Sequence, residues 1–472
     1  MRILDAVLVG FQFFLVAYFA VLNVLYAFFG YLGLRSVMLY AREMSDAALK
    51  DLLERDFYKP VSVLVPAYNE EASIVASVRA SLGLQHPAFE VIVVADGCTD
   101  ATVDRLTEAF ALTEVQLVYR RTLESAPIRR ILRSLREPNL LVVDKDNGGK
   151  ADALNAALNL ASYPLVCAVD ADSLLDGDAL LRATRLFAED DDVVALGGTV
   201  RPLNGSVMDG GSVAELRAPR RWIERFQVLE YTRAFFTGRA GWSRMGALLI
   251  ISGAFGVFRR AAVMDVGGYR TDTVGEDMEL VVRLHKQARL QGRKARVVMT
   301  PDPICRTEVP SDLRSLRRQR NRWQRGLWET LLMHNDMLFN RRFGRLGMIG
   351  VPYFWFFEGL APIFEVLGYI AFGLSAATGA LNPTLAIMFL LLAVLYGVLL
   401  SQLAVGIETL LLARYARMRD RLVLLAAAFL EFLGYRQLLS LERLRAMFQV
   451  RRKRGTWGEM KRTGVGVGSH LS

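Results

Sequence analysis

Two aspartates and a lysine have the residue types and positions expected of a phosphate and metal site. Asp170 and Asp172 come directly after the apolar run LVCAV (165–169). Two carboxylates one residue apart suit a hard divalent cation, which takes oxygen ligands and usually keeps substrate phosphates in its coordination shell. Lys150 follows a Gly-Gly pair and begins a predicted helix, where backbone amides can bind an anion. Together the three residues predict a site for a nucleoside diphosphate.

Four other aspartates have the same spacing. Asp144 and Asp146 also stand at the end of a predicted strand, and they remain a lower-ranked alternative because spacing alone does not exclude them as metal ligands. Asp190 and Asp192 lie in the acidic run EDDD after a predicted helix. Such a run is typical of solvated surface.

A further acidic pair, Glu276 and Asp277, lies in TVGEDMEL (273–280), where a helix is predicted to begin. Carboxylates at a helix N-terminus are commonly stabilised by the helix dipole, by about 0.3 to 1 kcal/mol. By itself the pair therefore does not indicate catalysis. The run ISGAF (251–255) precedes it and follows an apolar stretch.

The segments that must position these residues alternate short β-branched runs with amphipathic stretches. This alternation predicts an α/β domain with a mostly parallel sheet. Ligands bind outside the carboxyl ends of the strands in such sheets, and here PAYNE, ADGCTD, DKDNGGK and VDADS follow the strands. The predicted strands are 61–65, 91–95, 140–144, 165–169 and 193–198, and the predicted helices are 70–83, 100–111, 149–160 and 177–188.

The composition indicates a membrane protein with a polyanionic neighbour. Of the 472 residues, 53% are hydrophobic and 22% are charged, and the formal net charge is +10. This charge suits nucleic acid, anionic lipid or a phosphorylated substrate. Because the basic residues cluster beside apolar stretches, we expect an anionic phospholipid surface and no nucleic acid as partner. Three or four spans are few for a transporter, which leaves that class as a weak alternative.

Apolar stretches at both ends predict membrane segments. A helix needs about 20 apolar residues to cross the bilayer, and residues 4–34 carry one charge, Asp5. Basic residues after this stretch predict a catalytic domain in the cytoplasm, in a chain integral to a bacterial-type inner (plasma) membrane. We expect two C-terminal spans, 346–374 and 384–411, and a re-entrant or interfacial segment over 422–441. The predicted regions are an N-terminal transmembrane helix (1–42), a cytoplasmic domain (58–310), an amphipathic interface helix (311–340), a C-terminal transmembrane region (346–449) and a basic cytoplasmic tail (450–472).

The stretch RRQRNRWQRG (317–326) contains five arginines around one tryptophan. On a helix Gln319, Arg322, Trp323 and Gly326 share one face, and Gly326 is expected to leave space for a ligand. Three of the other arginines, Arg318, Arg320 and Arg325, are expected to face the cytoplasmic membrane surface.

Six motifs, taken in order, resemble those of the membrane-bound family 2 glycosyltransferases, which include cellulose, hyaluronan, chitin and poly-N-acetylglucosamine synthases. The resemblance covers about residues 58–336 and implies a GT-A-like fold, the nucleotide-diphospho-sugar transferase fold. In two places the chain departs from the family pattern: Ala95-Asp96 replaces a frequent double aspartate, and GED replaces TED. The six motifs are PAYNE (66–70), ADG (95–97), GGKADALN (148–155), DAD (170–172), GED (275–277) and QRNRW (319–323).

The resemblance implies a role for each matching residue. Asp277 would be the catalytic base that deprotonates the acceptor hydroxyl. The metal ion, Mg²⁺ or Mn²⁺, would be held by Asp172 and Asp170. The residues expected to bind the nucleotide-sugar are Tyr68, Glu70, Asp96, Lys150, Asp170, Asp172, Gln319 and Arg322, and those expected to bind the acceptor are Trp323, Ser252 and Gly253.

The expected activity is inverting, metal-dependent transfer from a UDP-sugar to a growing saccharide, with processive synthesis of a β-linked polysaccharide favoured. One carboxylate acts as base here, whereas a glycoside hydrolase needs a carboxyl pair flanking the scissile bond. Transfer to a lipid or short oligosaccharide stays open, and a membrane-anchored nucleic-acid-binding protein is a distant alternative. The partners expected are the donor, a saccharide or lipid-linked acceptor, and a second copy of the chain or accessory export subunits.

Overall fold

A computed structural model of the chain describes residues 2–43, 58–209, 212–392, 396–411 and 417–450. The predicted basic tail, 450–472, lies outside these residues except for Val450. Within them the chain forms an α/β domain and a set of long apolar helices.

The α/β domain is built on a ten-stranded mixed sheet with the order β3-β4-β5-β2-β1-β6-β11-β8-β12-β7. Its central strands β5, β2, β1 and β6 are parallel, so their carboxyl ends meet at one edge. This confirms the α/β fold class and the predicted strands. The sheet strands are β1 (Val61–Ala67), β2 (Phe89–Asp96), β3 (Leu112–Glu114), β4 (Ile128–Ser134), β5 (Leu140–Lys145), β6 (Leu165–Val169), β7 (Ser173–Leu175), β8 (Val193–Pro202), β11 (Phe255–Arg259) and β12 (Arg296–Thr307), and a separate hairpin holds β9 (Val207–Asp209) and β10 (Ser212–Glu215).

Helices cover the sheet because their apolar residues recur at helical spacing. The helix that begins at Lys150 contacts β1 and β2, and ten of its eleven residues are buried. The helices of this domain are α2 (Ile74–Leu82), α3 (Thr102–Phe110), α4 (Lys150–Leu160), α5 (Ala179–Glu189), α6 (Trp222–Thr232), α7 (Ala240–Arg244), α8 (Arg260–Asp265), α9 (Glu276–Leu290) and α10 (Leu313–Met333), with a π-helix, Arg233–Arg239, between α6 and α7.

Among the described residues, two helical stretches are long and apolar enough to cross a membrane, Ala6–Tyr40 and Leu346–Thr378. The first belongs to helix α1 (Arg2–Glu43). The second joins short π-helical and α-helical turns to α11 (Ala361–Thr378). Hydrogen bonds tie the two together, since Gln12 Nε2 donates to Ser375 Oγ at 2.8 Å.

The remaining apolar helices are shorter. The expected span 384–411 is described as α12 (Pro383–Leu390) and α13 (Tyr396–Leu411), and residues 393–395 between them lie outside the described part. Helices α14 (Met418–Leu430) and α15 (Tyr435–Met447) are bent by 58° where they meet. Such a bend suits a broken span as well as the re-entrant or interfacial segment expected here.

Candidate active site

All the residues expected to bind substrate or metal line a single cavity of about 2170 Å³. The cavity opens at the carboxyl edge of the central strands and continues between the apolar helices. The expected residues that line it are Tyr68, Glu70, Asp96, Lys150, Asp170, Asp172, Ser252, Gly253, Asp277, Gln319, Arg322 and Trp323.

The end of strand β6 delivers Asp170 and Asp172 to the cavity. Lys150, the first residue of α4, places its Nζ 2.5 Å from Asp170 Oδ1. Burial, followed by the negative charge of Asp170, raises the pKa of Asp172 to about 7. A carboxylate in this environment gains stability from an added positive charge.

The carboxylates at this edge have the donor chemistry for a hard divalent cation. Within the described ranges, no group of three or more His, Cys, Asp or Glu side chains is arranged to hold a metal ion. A cation on Asp172 and Asp170 would therefore take its other ligands from water or from a substrate diphosphate. Mg²⁺ characteristically binds in this way, with one or two carboxylates plus phosphates.

The Gly-Gly turn before Lys150 has another role than the expected one. The amides of Gly148 and Gly149 donate to the Asp96 carboxylate at 3.0 and 2.7 Å. The same carboxylate lies 2.5 Å from Nζ of the fully buried Lys145. The amides thus fix Asp96 at the end of β2 instead of remaining open to an external anion.

Asp277 lies in the first turn of α9 with both carboxylate oxygens bonded to backbone amides. Its Oδ2 accepts from Gly253 N at 2.9 Å and its Oδ1 from Met278 N at 2.8 Å. The carbonyl of Gly253 accepts from Lys150 Nζ at 3.1 Å. A methyl group on Gly253 would lie 3.1 Å from Asp277 Oδ2, so a glycine allows this close approach.

Glu276 connects the start of α9 to the sheet edge. Its Oε1 is 3.7 Å from Nζ of Lys150, which also contacts Asp170. Burial raises the pKa of Glu276 to about 7, Lys150 opposes this shift, and Asp277 adds to it. Lys150 thereby links the two acidic parts of the cavity.

One face of α10 brings Gln319, Arg322 and Trp323 into the cavity. Trp323 is 42% exposed, and its ring centroid is 6.2 Å from that of Tyr231 on α6. Tyr231 was not apparent from the sequence, since its stretch LEYTRAFF matches no spacing pattern. The two rings form an aromatic wall suited to the apolar face of a sugar.

The prediction that Arg320 and Arg325 face the membrane surface is wrong. Both side chains are buried, at 3% and 5% exposure. Arg320 pairs with Glu230 at 2.7 Å and lies over the Trp323 ring at 4.0 Å. Arg318 is exposed and lines the cavity. Protein therefore covers both arginines, and Glu230 of α6 is the acidic partner of Arg320.

The expectation that Gly326 leaves space for a ligand is also wrong. A methyl group on Gly326 would lie 2.8 Å from Cα of Gly275, and one on Gly275 would lie 2.8 Å from Cα of Gly326. Glu329, one turn later, accepts hydrogen bonds from Thr273 Oγ1 and Val274 N at 2.8 and 2.9 Å. This face of α10 therefore holds the loop that leads to Asp277.

The alternative acidic pairs lie elsewhere. Asp144 Oδ2 accepts from Arg130 Nε at 3.0 Å, and Asp146 Oδ1 accepts from Arg129 Nε at 2.7 Å. Asp190 pairs with Arg296. In the described part of the chain, none of these aspartates lines the cavity.

The cavity continues past Trp323 to polar groups among the apolar helices. Glu358 and Glu365 both line it. Arg443 of α15 donates to the carbonyl of Glu358 at 2.7 Å and to Gln324 Oε1 at 2.9 Å, and Ser440 donates to Glu365. These acids therefore line a polar path and also bond to neighbouring helices.

Comparison with known proteins adds a family match and several relatives. The model of the glycosyltransferase like family 2 matches residues 59–326. Poly-beta-1,6-N-acetyl-D-glucosamine synthase from Staphylococcus aureus (strain COL) is 29% identical over 279 residues, which make up 59% of this chain and 57% of the relative. The enzyme of that name from Staphylococcus epidermidis is 27% identical over 315 residues, 66% of this chain and 64% of the relative. The chain thus spans less than two thirds of the length of these curated relatives.

A solved structure resembles nearly the whole chain. The mannosyltransferase PcManGT from Pyrobaculum calidifontis, in complex with GDP-Man and Mn²⁺, is similar with a TM-score of 0.54. The similarity covers 93% of this chain and 99% of that chain, at 19% sequence identity. At this identity the likeness supports the fold alone, which is GT-A-like.

Proposed function

Because the chain belongs to the glycosyltransferase like family 2, we propose that it transfers a sugar from a nucleotide-sugar, with UDP as the nucleotide, to a growing saccharide. An acceptor hydroxyl attacks the anomeric carbon while the bond from that carbon to the diphosphate oxygen breaks. The acceptor proton passes to Asp277. A single displacement of this kind inverts the anomeric centre.

The observation that carries the proposal is the short chain of contacts between the sheet edge and the start of α9. Lys150 contacts Asp170 on one side and the Gly253 carbonyl on the other, and the Gly253 amide contacts Asp277. A donor diphosphate near Asp170 and an acceptor hydroxyl near Asp277 would therefore lie side by side. Such positioning supplies much of the rate in a two-substrate reaction.

Asp172 and Asp170 are the residues that would hold Mg²⁺ or Mn²⁺. When bound, the ion neutralises charge that develops on the leaving diphosphate. Arg322 and Gln319, which line the same cavity, would donate hydrogen bonds to that diphosphate. Tyr68, Glu70 and Asp96 would hold the nucleoside at the ends of β1 and β2.

The continuation of the cavity favours a polymeric product over a short glycolipid. Beyond the Tyr231 and Trp323 rings it reaches Glu358 and Glu365 among the apolar helices. An elongating chain needs such a path away from the transfer site. The relatives named above are poly-beta-1,6-N-acetyl-D-glucosamine synthases, which supports N-acetylglucosamine as the sugar and a β-linked polysaccharide as the product.

The proposed location is the inner membrane with the α/β domain in the cytoplasm, where nucleotide-sugars are made. In the part of the chain that the structure describes, two helical stretches are long and apolar enough to span a membrane. Of the arginines expected at the membrane surface, Arg318 is exposed, and we propose that it contacts anionic phospholipid.

The test is nucleotide release by the purified protein in lipid nanodiscs. A panel of UDP-sugars and GDP-mannose is offered with Mg²⁺, Mn²⁺ or EDTA, and the products are sized. We expect one UDP-sugar to be turned over, only with a metal ion, and the product to be polymeric.

The matched variants for this test are Asp172→Asn and Asp192→Asn. Asp172→Asn should lower the turnover rate by about a hundredfold or more, because the leaving group loses charge stabilisation. Asp192 lies outside the cavity in a surface run, and its variant should behave as the parent. Failure of every sugar nucleotide to react, or an unchanged Asp172→Asn enzyme, would overturn the proposal.

A further inference from the structure

Arg239 is the last residue of the π-helix between α6 and α7, and it lines the cavity. Its guanidinium lies over the Phe235 ring, 4.1 Å from the centroid. Nη1 is buried, and no described residue accepts a hydrogen bond from it. Buried donors are normally satisfied by the protein, so this N–H group is available to an acceptor atom of a ligand.

Two other arginines of the same cavity each pair with an acidic side chain. Arg233 lies 2.5 Å from Glu431 and Arg320 lies 2.7 Å from Glu230. A buried charge without such a partner costs free energy, so it persists where something else offers compensation. A bound ligand could accept the hydrogen bond from Arg239 Nη1 that no described residue accepts.

The surroundings of Arg239 place it on the acceptor side of the cavity. Burial lowers its pKa to about 10, while the charges of Asp277 and Tyr231 act in the opposite direction. The Phe235 ring under the Arg239 guanidinium lies 6.1 Å, centroid to centroid, from the Tyr231 ring. Arg239 therefore remains protonated at neutral pH and lies next to the aromatic wall, with Phe235 between its guanidinium and Tyr231.

We propose that Arg239 is an acceptor-binding residue whose guanidinium donates hydrogen bonds to hydroxyl or carbonyl oxygens of the acceptor saccharide beside Asp277. The inference rests on the proposed function. A guanidinium presents several N–H donors in a fixed fork and has no acceptor atoms. Asp277 already provides a nearby negative charge, so oxygens of a neutral sugar suffice as ligands. The Tyr231 and Trp323 rings would cover the apolar face of the same sugar unit.

The experiment compares Arg239→Gln and Arg239→Lys with the parent in nanodiscs. The donor is the sugar nucleotide turned over in the panel above, and the acceptor is a short oligosaccharide of the same sugar. We measure KM for the acceptor, kcat, and the Kd of the donor without acceptor. Loss of a charged hydrogen-bond donor should raise the acceptor KM of Arg239→Gln by about tenfold or more. Arg239→Lys, which keeps the charge and loses the fork, should show a smaller increase.

The donor Kd distinguishes an acceptor role from a general loss of structure or a donor role. It should equal that of the parent in both variants. The control is Arg293→Gln, an exposed arginine outside the cavity, which should leave all three constants unchanged. If Arg239→Gln does not retain its fold, Arg239→Lys still carries the test because it keeps the charge and the packed stem.

Two results would overturn the inference. One is an unchanged acceptor KM in both variants. The other is a donor Kd that rises by the same factor as the acceptor KM. Either result leaves a parent enzyme that turns over its donor, so the proposed function stands. A parent that releases no nucleotide from any sugar nucleotide would instead refute the proposed function, and the inference with it.

Discussion

The sheet edge and the helical half of the cavity are positioned in different ways. At the sheet edge, Asp170 and Asp172 follow directly from strand β6, so a short stretch of sequence sets their place. In the helical half, the loop before Asp277 is held from outside by Gly326 and Glu329 of α10. The two carboxylates on the proposed donor side thus depend on local structure, and the loop before Asp277 on the proposed acceptor side depends on contacts between distant segments. Changes in the two halves should consequently affect different steps.

The largest expected effect is a loss of kcat in Asp277→Asn without a loss of donor binding. Asp277→Asn removes the proposed base and retains an oxygen that can accept from the Gly253 amide. Loss of a general base lowers kcat by about 10² to 10⁴. The donor Kd should stay within about twofold of the parent, since binding and chemistry are then separable. Single-turnover transfer and calorimetric donor binding measure the two quantities.

The control for Asp277→Asn is Asp272→Asn, a nearby aspartate whose side chain is 57% exposed and pairs with Arg270. It should retain the parent kcat. If the donor Kd of Asp277→Asn rises by the same factor by which kcat falls, this carboxylate belongs to the donor site. The contrast between the two halves of the cavity would then be wrong.

The same contrast explains how much the sequence predicts. The strands, the polar motifs at their ends and the glycosyltransferase family follow from short stretches, and the family match and the sheet confirm these predictions. Local periodicity identifies which residues of α10 share a face, but it does not say what covers each face. For this reason the sequence predicts Arg320 and Arg325 at the lipid surface, although protein covers them. Tyr231, Arg239 and Glu329 contribute only through tertiary contacts, and no spacing pattern indicates them.

An intermediate effect is expected for Gly326→Ala, which tests whether α10 positions the loop that leads to Asp277. In Gly326→Ala the added methyl group would lie 2.8 Å from Cα of Gly275. The backbone must shift to accommodate it, and such overpacking typically costs about 1 to 3 kcal/mol. We expect a lower melting temperature and a lower kcat, while the donor Kd is retained. Thermal unfolding and the assays above provide the measurements.

The matched control for Gly326→Ala is Gly373→Ala, another helical glycine, with open space at the position of the added methyl group. It should keep the parent activity and melting temperature or gain slightly in stability, since alanine favours helix. Equal behaviour of the two alanine variants would mean that the contact between Gly275 and Gly326 does not position the base.

The smallest expected effect is that of Asp144→Asn on the Mn²⁺ requirement. Asp144 and Asp146 are the alternative metal ligands that the sequence leaves open. In Asp144→Asn the ion pairs with Arg129 and Arg130 are lost, and pairs with such exposed arginines contribute little to stability. The Mn²⁺ concentration for half-maximal activity should stay within about twofold of the parent value, since the proposed metal site on Asp170 and Asp172 is untouched. A titration of activity with Mn²⁺ measures it. A clear rise in the required Mn²⁺ would instead indicate that the cation is bound at the end of β5, and the metal would then have to be reassigned from β6 to that strand.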